Sequence, residues 1–285
     1  MTKYLISFGF FCLTSFSFLF AQEEVELIAP DRPGFGDAIS IIPKKQLQVE
    51  TGFWFDQDNQ ALSGLNVQTT GIGINSTLLR YGLSEKIELR FDYSVLHEKT
   101  VESYFGINVN KQTGLLPCRV GMKAALTENK GIIPAITFVG MIGMPWTSSV
   151  NFRPKYVSPD LQLSCSNQVN SWFTICYNLG SSWDGDLPNP QHYYALSGEF
   201  APSDKWGGYV QVHGSLQNFK GTPSGTQTDH LLYSEAGLMY YPKKNIQIDL
   251  SGGTKIGEFS GGNSVSNGEH SYFFTTAGLS WRFPR

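Results

Sequence analysis

Arg80, Glu88, Arg90 and Asp92 fall within one stretch of this 285-residue chain, TLLRYGLSEKIELRFDYSV from Thr77 to Val95. From Ile87 onward the charged residues take turns with Leu89, Phe91, Tyr93 and Val95, a period of two that puts the charges on one face of a strand and the apolar residues on the other. Alternating guanidinium and carboxylate groups suit ion pairing and solute contact. They either lock into a paired network or leave a guanidinium free for an anionic or aromatic solute. The same alternation elsewhere adds Glu50, Arg119, Lys123, Glu199, Glu235, Asp249, Lys255 and Arg282 to the ionic face, six acids and six bases in all, together with Tyr209, Gln211 and His213. Balanced signs on one enclosed face pair with each other and imply a narrow passage. The residues expected to meet a solute are Glu50, Arg80, Glu88, Arg90, Asp92, Arg119, Lys123, Tyr209, Gln211 and Glu235.

Covalent chemistry finds little support. His213 near Ser215 or Ser197 has no triad spacing. His97, His192, His230 and His270 show no metal-ligand spacing. The GFG at Gly34–Gly36 follows no strand and lacks the Lys-Ser or Lys-Thr of a phosphate loop, and Asp184 and Asp186 lack the rest of a calcium loop. No catalytic residue, metal or cofactor is expected.

The elements that must position the ionic face are strands. No stretch after residue 21 approaches the roughly 18 consecutive apolar residues of a membrane helix, whereas alternating strands about long enough to cross a bilayer when tilted recur down the chain. They begin with Gln46–Phe55 and end with Ser271–Phe283. Their connections alternate between roughly 8–16 and roughly 3–6 residues, as outer loops and periplasmic turns do. The long ones are Asp56–Thr70, Glu98–Gln112, Met144–Pro159, Asp184–Gln191, Lys220–Asp229 and Gly257–His270. The fourth strand is expected at Leu115–Leu126; Gly131–Gly143 is apolar on both faces, so its orientation stays open. Trp54, Trp183 and Tyr233 gather towards the loops and Trp172, Trp206 and Trp281 towards the turns, the depth that amphipathic rings favour. The expected fold is all-β, a transmembrane antiparallel β-barrel of about 12 strands, closed because lipid offers backbone groups no partner.

Before the barrel, residues 1–21 read as a secretory signal peptide, with Lys3, an apolar run from Leu5 to Phe20 and Ala21 at the cut. Residues 22–44 form a leader carrying DRPGFGDAI, irregular because of its prolines and glycines. It reads either as a periplasmic linker or as a plug that folds into the barrel mouth; residues 45–285 are the barrel. Removing the signal takes one Lys from the 21 Lys and Arg and none of the 24 acids, leaving a net charge of −4, which suggests no nucleic-acid partner. Three cysteines remain, and Cys165 and Cys176 are expected to face opposite ways without a disulfide.

Taken in order, DRPGFGDAI, QLQVETGFWF, TLLRYGLSEKIELRF, the GMK strand, PAITFVGMIGMP, NLG, NIQIDLSGG and the closing GLSWRF resemble the outer-membrane transporter family of the MetA-pathway of phenol degradation. The resemblance covers nearly all of the mature chain, and RYGLSEKIELR is its most specific part. GMKAAL departs from the family's usual aromatic after the Lys, and Pro284–Arg285 follows the terminal Phe283. The resemblance implies an outer-membrane barrel of a Gram-negative bacterium passing a small, often aromatic or poorly soluble compound, and it supplies no catalytic residues. Expected partners are outer-membrane lipid, a small-molecule solute and the barrel assembly machinery. Two other functions are compatible with such a barrel, a lipid-modifying outer-membrane enzyme and a structural or adhesive barrel whose loops bind a partner.

Overall fold

The computed structural model describes residues 26–62, 65–103, 106–222, 225–260, 263–264 and 270–283. The expected signal peptide and the Pro284–Arg285 end lie outside them. Fourteen strands are described: β1 (Leu47–Leu62), β2 (Leu65–Gly82), β3 (Ile87–Ser103), β4 (Ile107–Leu115), β5 (Cys118–Thr127), β6 (Ala135–Met144), β7 (Ser158–Gln168), β8 (Phe173–Ser182), β9 (Gln191–Ser203), β10 (Trp206–Thr222), β11 (Gly225–Lys243), β12 (Ile246–Ser260), β13 (Asn263–Ser264) and β14 (His270–Phe283).

Every neighbouring pair is antiparallel, and β1 pairs with both β2 and β14, which closes the sheet. β4 and β5 are two halves of one wall strand: β4 pairs with Val95–Ser103 of β3 and β5 with Ile87–Asp92. The wall is therefore a transmembrane barrel of twelve strands, with β13 a two-residue addition to β12. The break falls at Leu116–Pro117, where proline has no N–H for the ladder. It corrects the unbroken strand expected at Leu115–Leu126. Beside the break, the Ser149 N–H donates to the Leu115 carbonyl, the Leu115 N–H donates to the Ser149 hydroxyl and the Thr147 hydroxyl accepts the Cys118 N–H, so the turns at Pro145–Thr147 and Val150–Phe152 finish the wall there.

Among the described residues, four expected outer loops continue the ladder. β1 and β2 stay paired up to Leu62↔Leu65, Glu98 faces Gln112, β10 and β11 run to Thr222↔Gly225, and β12 continues to Ser260. These extensions are mostly polar in sequence, so no sustained greasy alternation marks them, yet backbone bonding continues.

The alternation sorts the wall as the period of two requires. Leu89, Leu179, Val210, Leu238 and Leu250 are exposed on the outside, while Gln48, Glu50, Arg80, Glu88, Lys123, Gln247 and Ser280 are almost wholly buried within. β6, unreadable in the sequence, turns Thr137, Val139 and Met141 inward. Trp172, Trp206 and Trp281 stand exposed at the short-turn end. Cys118, Cys165 and Cys176 are free thiols.

Candidate functional site

Near the short-turn end, β1, β2, β3 and β5 bring Glu50, Arg80, Glu88, Arg90 and Lys123 together. Arg80 grips Glu88 with two hydrogen bonds, Nε to Oε1 at 2.8 Å and Nη2 to Oε2 at 2.9 Å, and its Nη1 donates to Glu50 at 2.9 Å. The register places Arg80 opposite both Gln48 and Arg90, so these side chains share one lumen layer. Like charges in so tight a layer are tolerable only with carboxylates between them.

The remaining carboxylates come from the leader. Asp31 accepts from Arg90 at 2.6 Å and from Lys123 at 2.9 Å, and lies 3.3 Å from Arg80; Asp37 accepts from Arg90 at 3.3 Å. The leader's backbone joins as well: the Asp31 N–H donates to Glu50, the Ile42 N–H donates to Glu88, and the Ser40 carbonyl accepts from Arg80. Burial works against the Asp31 charge, yet Arg80, Lys123 and Arg90 hold its carboxyl well below the usual carboxylate range. Burial pushes the Asp37 carboxyl up, against the pull of Arg90. Three cations thus meet four carboxylates, and the Arg80 and Arg90 guanidiniums are engaged by protein acids.

From this anchor the leader crosses the lumen. The Phe35 N–H donates to Gln211 Oε1 on β10, Asn178 on β8 donates to the Asp37 carbonyl, and on β12 Gln247 donates to the Arg32 carbonyl while Arg32 donates to Asp249. The glycines of PGFG have a physical reason: Gly34 adopts a left-handed φ of 120° against the Tyr209 ring, and a Cβ on Gly36 would collide with the Asn178 side chain.

Asp31, Arg32, Gly34 and Asp37 line two cavities at once. One, of about 510 Å³, lies towards the short turns among Trp172, Cys176, Glu199, Phe200, Tyr209, Met239 and Tyr241. The other, of about 500 Å³, lies towards the long loops among Trp54, Asp92, Pro117, Arg119, Gly143 and Ser158. The leader is the partition between them.

The other candidate residues fall into two groups. Asp92 and Arg119 pair at 2.8 Å in the outer cavity, where Arg119 also reaches Asp160 at 3.4 Å. Tyr209, Gln211 and Glu235 stand on the opposite wall, with the Tyr209 hydroxyl and Ser251 both donating to Glu235. Sequence reasoning missed Asp31, Arg32, Asp37, Asp160, Asn178 and Gln247. The leader's acids carried one signal, an Asp-Arg pair and a second Asp around a Gly-rich turn, but nothing local fixed their partners. Among the described residues no cluster of His, Cys, Asp and Glu is arranged to hold a metal ion.

The sequence profile of the family described as MetA-pathway of phenol degradation matches residues 30–282. No curated protein matches the chain in sequence. Among solved structures, an outer membrane channel from Pseudomonas putida F1 superposes with a TM-score of 0.62 at 9% identity, covering 88% of this chain and 100% of that one. The translocator domain of the autotransporter NalP from Neisseria meningitidis gives 0.48 at 12% identity, covering 84% and 89%. The CymD monoaromatic hydrocarbon channel gives 0.43 at 9%, covering 85% and 90%. At such identities the first of these likenesses bears on the fold.

Proposed function

From the premise that the chain belongs to the MetA-pathway of phenol degradation family, matched from residue 30 to residue 282, we propose that it is an outer-membrane channel for a small, hydrophobic or aromatic solute. The observation that carries this reading is the partition: residues Asp31–Asp37 separate two cavities of about 500 Å³ inside a closed barrel. A barrel serving only as a wall or an adhesin has no need of a chain segment held across its lumen between two spaces of solute size. The outer membrane channel from Pseudomonas putida F1, similar over nearly its whole length, supports the same direction. On this reading the barrel reaches the outer membrane through the barrel assembly machinery, its lipid-facing ring rests in outer-membrane lipid, and transport requires no covalent step.

The leader is the constriction. Removing the Asp31 carboxylate takes away the acceptor shared by Arg90 and Lys123 and frees the partition at its anchored end. Single-channel recordings in planar bilayers should show a larger conductance for Asp31→Ala than for the parent protein. Equal conductances from two folded barrels would overturn the assignment of the leader as the constriction.

A further inference from the structure

The outward face of β9 to β12 changes character in steps from the short-turn end. The β9–β10 and β11–β12 turns carry Lys205, Lys243 and Lys244 against one acid, Asp204, and all four residues are exposed. Among the described residues none of the three lysines has an acid within ion-pair reach. The two turns touch, since the Tyr241 N–H donates to the Lys205 carbonyl at 2.9 Å. Next along the strands, Trp206 and Tyr240 are cross-strand partners whose ring centroids lie 4.8 Å apart, with Trp206 exposed. Amphipathic rings favour the depth of lipid headgroups.

Further along the same face the wall is indented. A groove of about 740 Å³ lies among Phe200, Trp206, Leu238 and Leu250, and another of about 670 Å³ among Ile175, Leu196, Val212 and Thr254. Val210, Ala236 and Gly252 line both, so the two are continuous. The register explains the indentation: Gly198, Val210, Ala236 and Gly252 stand in one cross-strand row, and three of the four have little or no side chain. Val210, Leu238 and Leu250 are exposed while Tyr209, Glu235 and Asp249 between them are buried, which fixes the groove on the outside. From Trp206 to Val212 it runs about 20 Å at a strand's rise, and at a barrel tilt of about 40° that is about 15 Å of depth. One leaflet of a hydrocarbon core about 30 Å thick has the same depth.

Resting on the outer-membrane barrel reading, we infer that this sector of the wall is a binding site for one anionic phospholipid of the short-turn leaflet. An acyl chain lies in the groove, where the rim side chains add contacts that a flat wall lacks. Trp206 and Tyr240 flank the glycerol esters, and Lys205, Lys243 and Lys244 meet the phosphodiester. Charge selects the headgroup. On the other described short turns Glu85 stands with Lys86 and Glu128 with Lys130, and residues 169–172 carry no charge, so positive charge exceeds negative only on the turns below the groove. A zwitterionic headgroup brings an ammonium that the lysines repel, whereas an anionic one brings none. Free phosphate has the charge but no chain for the groove.

Phosphatidylglycerol serves as the probe, with phosphatidylcholine and inorganic phosphate as controls, and the lipid retained by the purified full-length barrel is counted by native mass spectrometry. The parent should prefer phosphatidylglycerol over phosphatidylcholine by about tenfold or more. Lys205→Gln with Lys243→Gln and Lys244→Gln should erase the preference, while Lys86→Gln with Lys130→Gln should keep it. Ala236→Phe fills the groove and should weaken retention of both lipids, and inorganic phosphate should displace neither. Equal retention of the two lipids by the parent, an unchanged preference in the triple variant, unchanged retention in Ala236→Phe, or displacement by inorganic phosphate would each overturn the site. Insertion into phosphatidylcholine vesicles, read as heat-modifiable mobility, is a separate outcome. A parent that fails to insert overturns the outer-membrane reading, whereas one that inserts and shows no lipid preference overturns the lipid site alone.

Discussion

Arg80 and Glu88 meet fork to fork on neighbouring strands, with both bonds at 2.8–2.9 Å and both side chains fully withdrawn from solvent. Each also serves the leader, Arg80 through the Ser40 carbonyl and Glu88 through the Ile42 N–H. A buried pair of this kind is weak evidence for stability by itself, but breaking it strands a charge. Arg80→Ala should therefore cost about 3–5 kcal/mol. Pairing it with Glu88→Gln should recover about 0.5–3 kcal/mol of the summed single losses. Urea unfolding in lipid vesicles gives both numbers, and strict additivity would mean the two groups act independently.

Arg80 and Arg90 are two of the three cations that meet Asp31, Asp37, Glu50 and Glu88. Removing both leaves Lys123 alone among four acids, in the layer where the leader is tied. Arg80→Ala with Arg90→Ala should raise single-channel conductance and shift the reversal potential towards cation preference, since positive charge leaves the narrowest section. A folded double variant with parental conductance and reversal potential would show that these residues only fill space.

The hairpin that carries this layer was legible because its two faces differ completely: Leu89 and Phe91 turn to lipid, while Glu88 and Arg90 turn inward. Strand number and the identity of the inward charges followed from the same rule. What was illegible has a common cause in distance along the chain. Asp31 finds Lys123 across 92 residues and Arg32 finds Asp249 across 217, and nothing in DRPGFGDAI states which wall it will meet. The strand extensions beyond Asp56 and Glu98 were hidden for a different reason, since their mostly polar residues make no sustained greasy face to mark them as strand.

Phe91 and Asp92 are adjacent and point to opposite sides of the wall. Phe91 packs by its ring against Tyr93 on the outer face, and Asp92 accepts from Arg119 inside. Phe91→Arg near mid-membrane should cost about 2–4 kcal/mol. Asp92→Asn should cost much less, because the amide oxygen still accepts from Arg119 and the pair is part-exposed. Equal tolerance of the two changes in a vesicle folding assay would place this strand in the wrong register.

Acid should test the leader's anchor through Asp31. Its carboxyl is held below the ordinary value of 3.8, with burial opposing and the neighbouring cations prevailing. A group depressed in the folded state contributes stability above its ordinary pKa and loses that contribution only as pH falls through the lowered value. The ties to Arg90 and Lys123 should therefore survive at about pH 4, where a free aspartate is near half-protonated. The Asp37 tie to Arg90 is different, since burial raises that carboxyl, and it should weaken first on acidification. The parent protein should keep a smaller conductance than Asp31→Asn both at neutral pH and at about pH 4. If the parent opened to the level of Asp31→Asn on mild acidification, Asp31 would be titrating as an ordinary aspartate and would not be the residue that holds the leader in place.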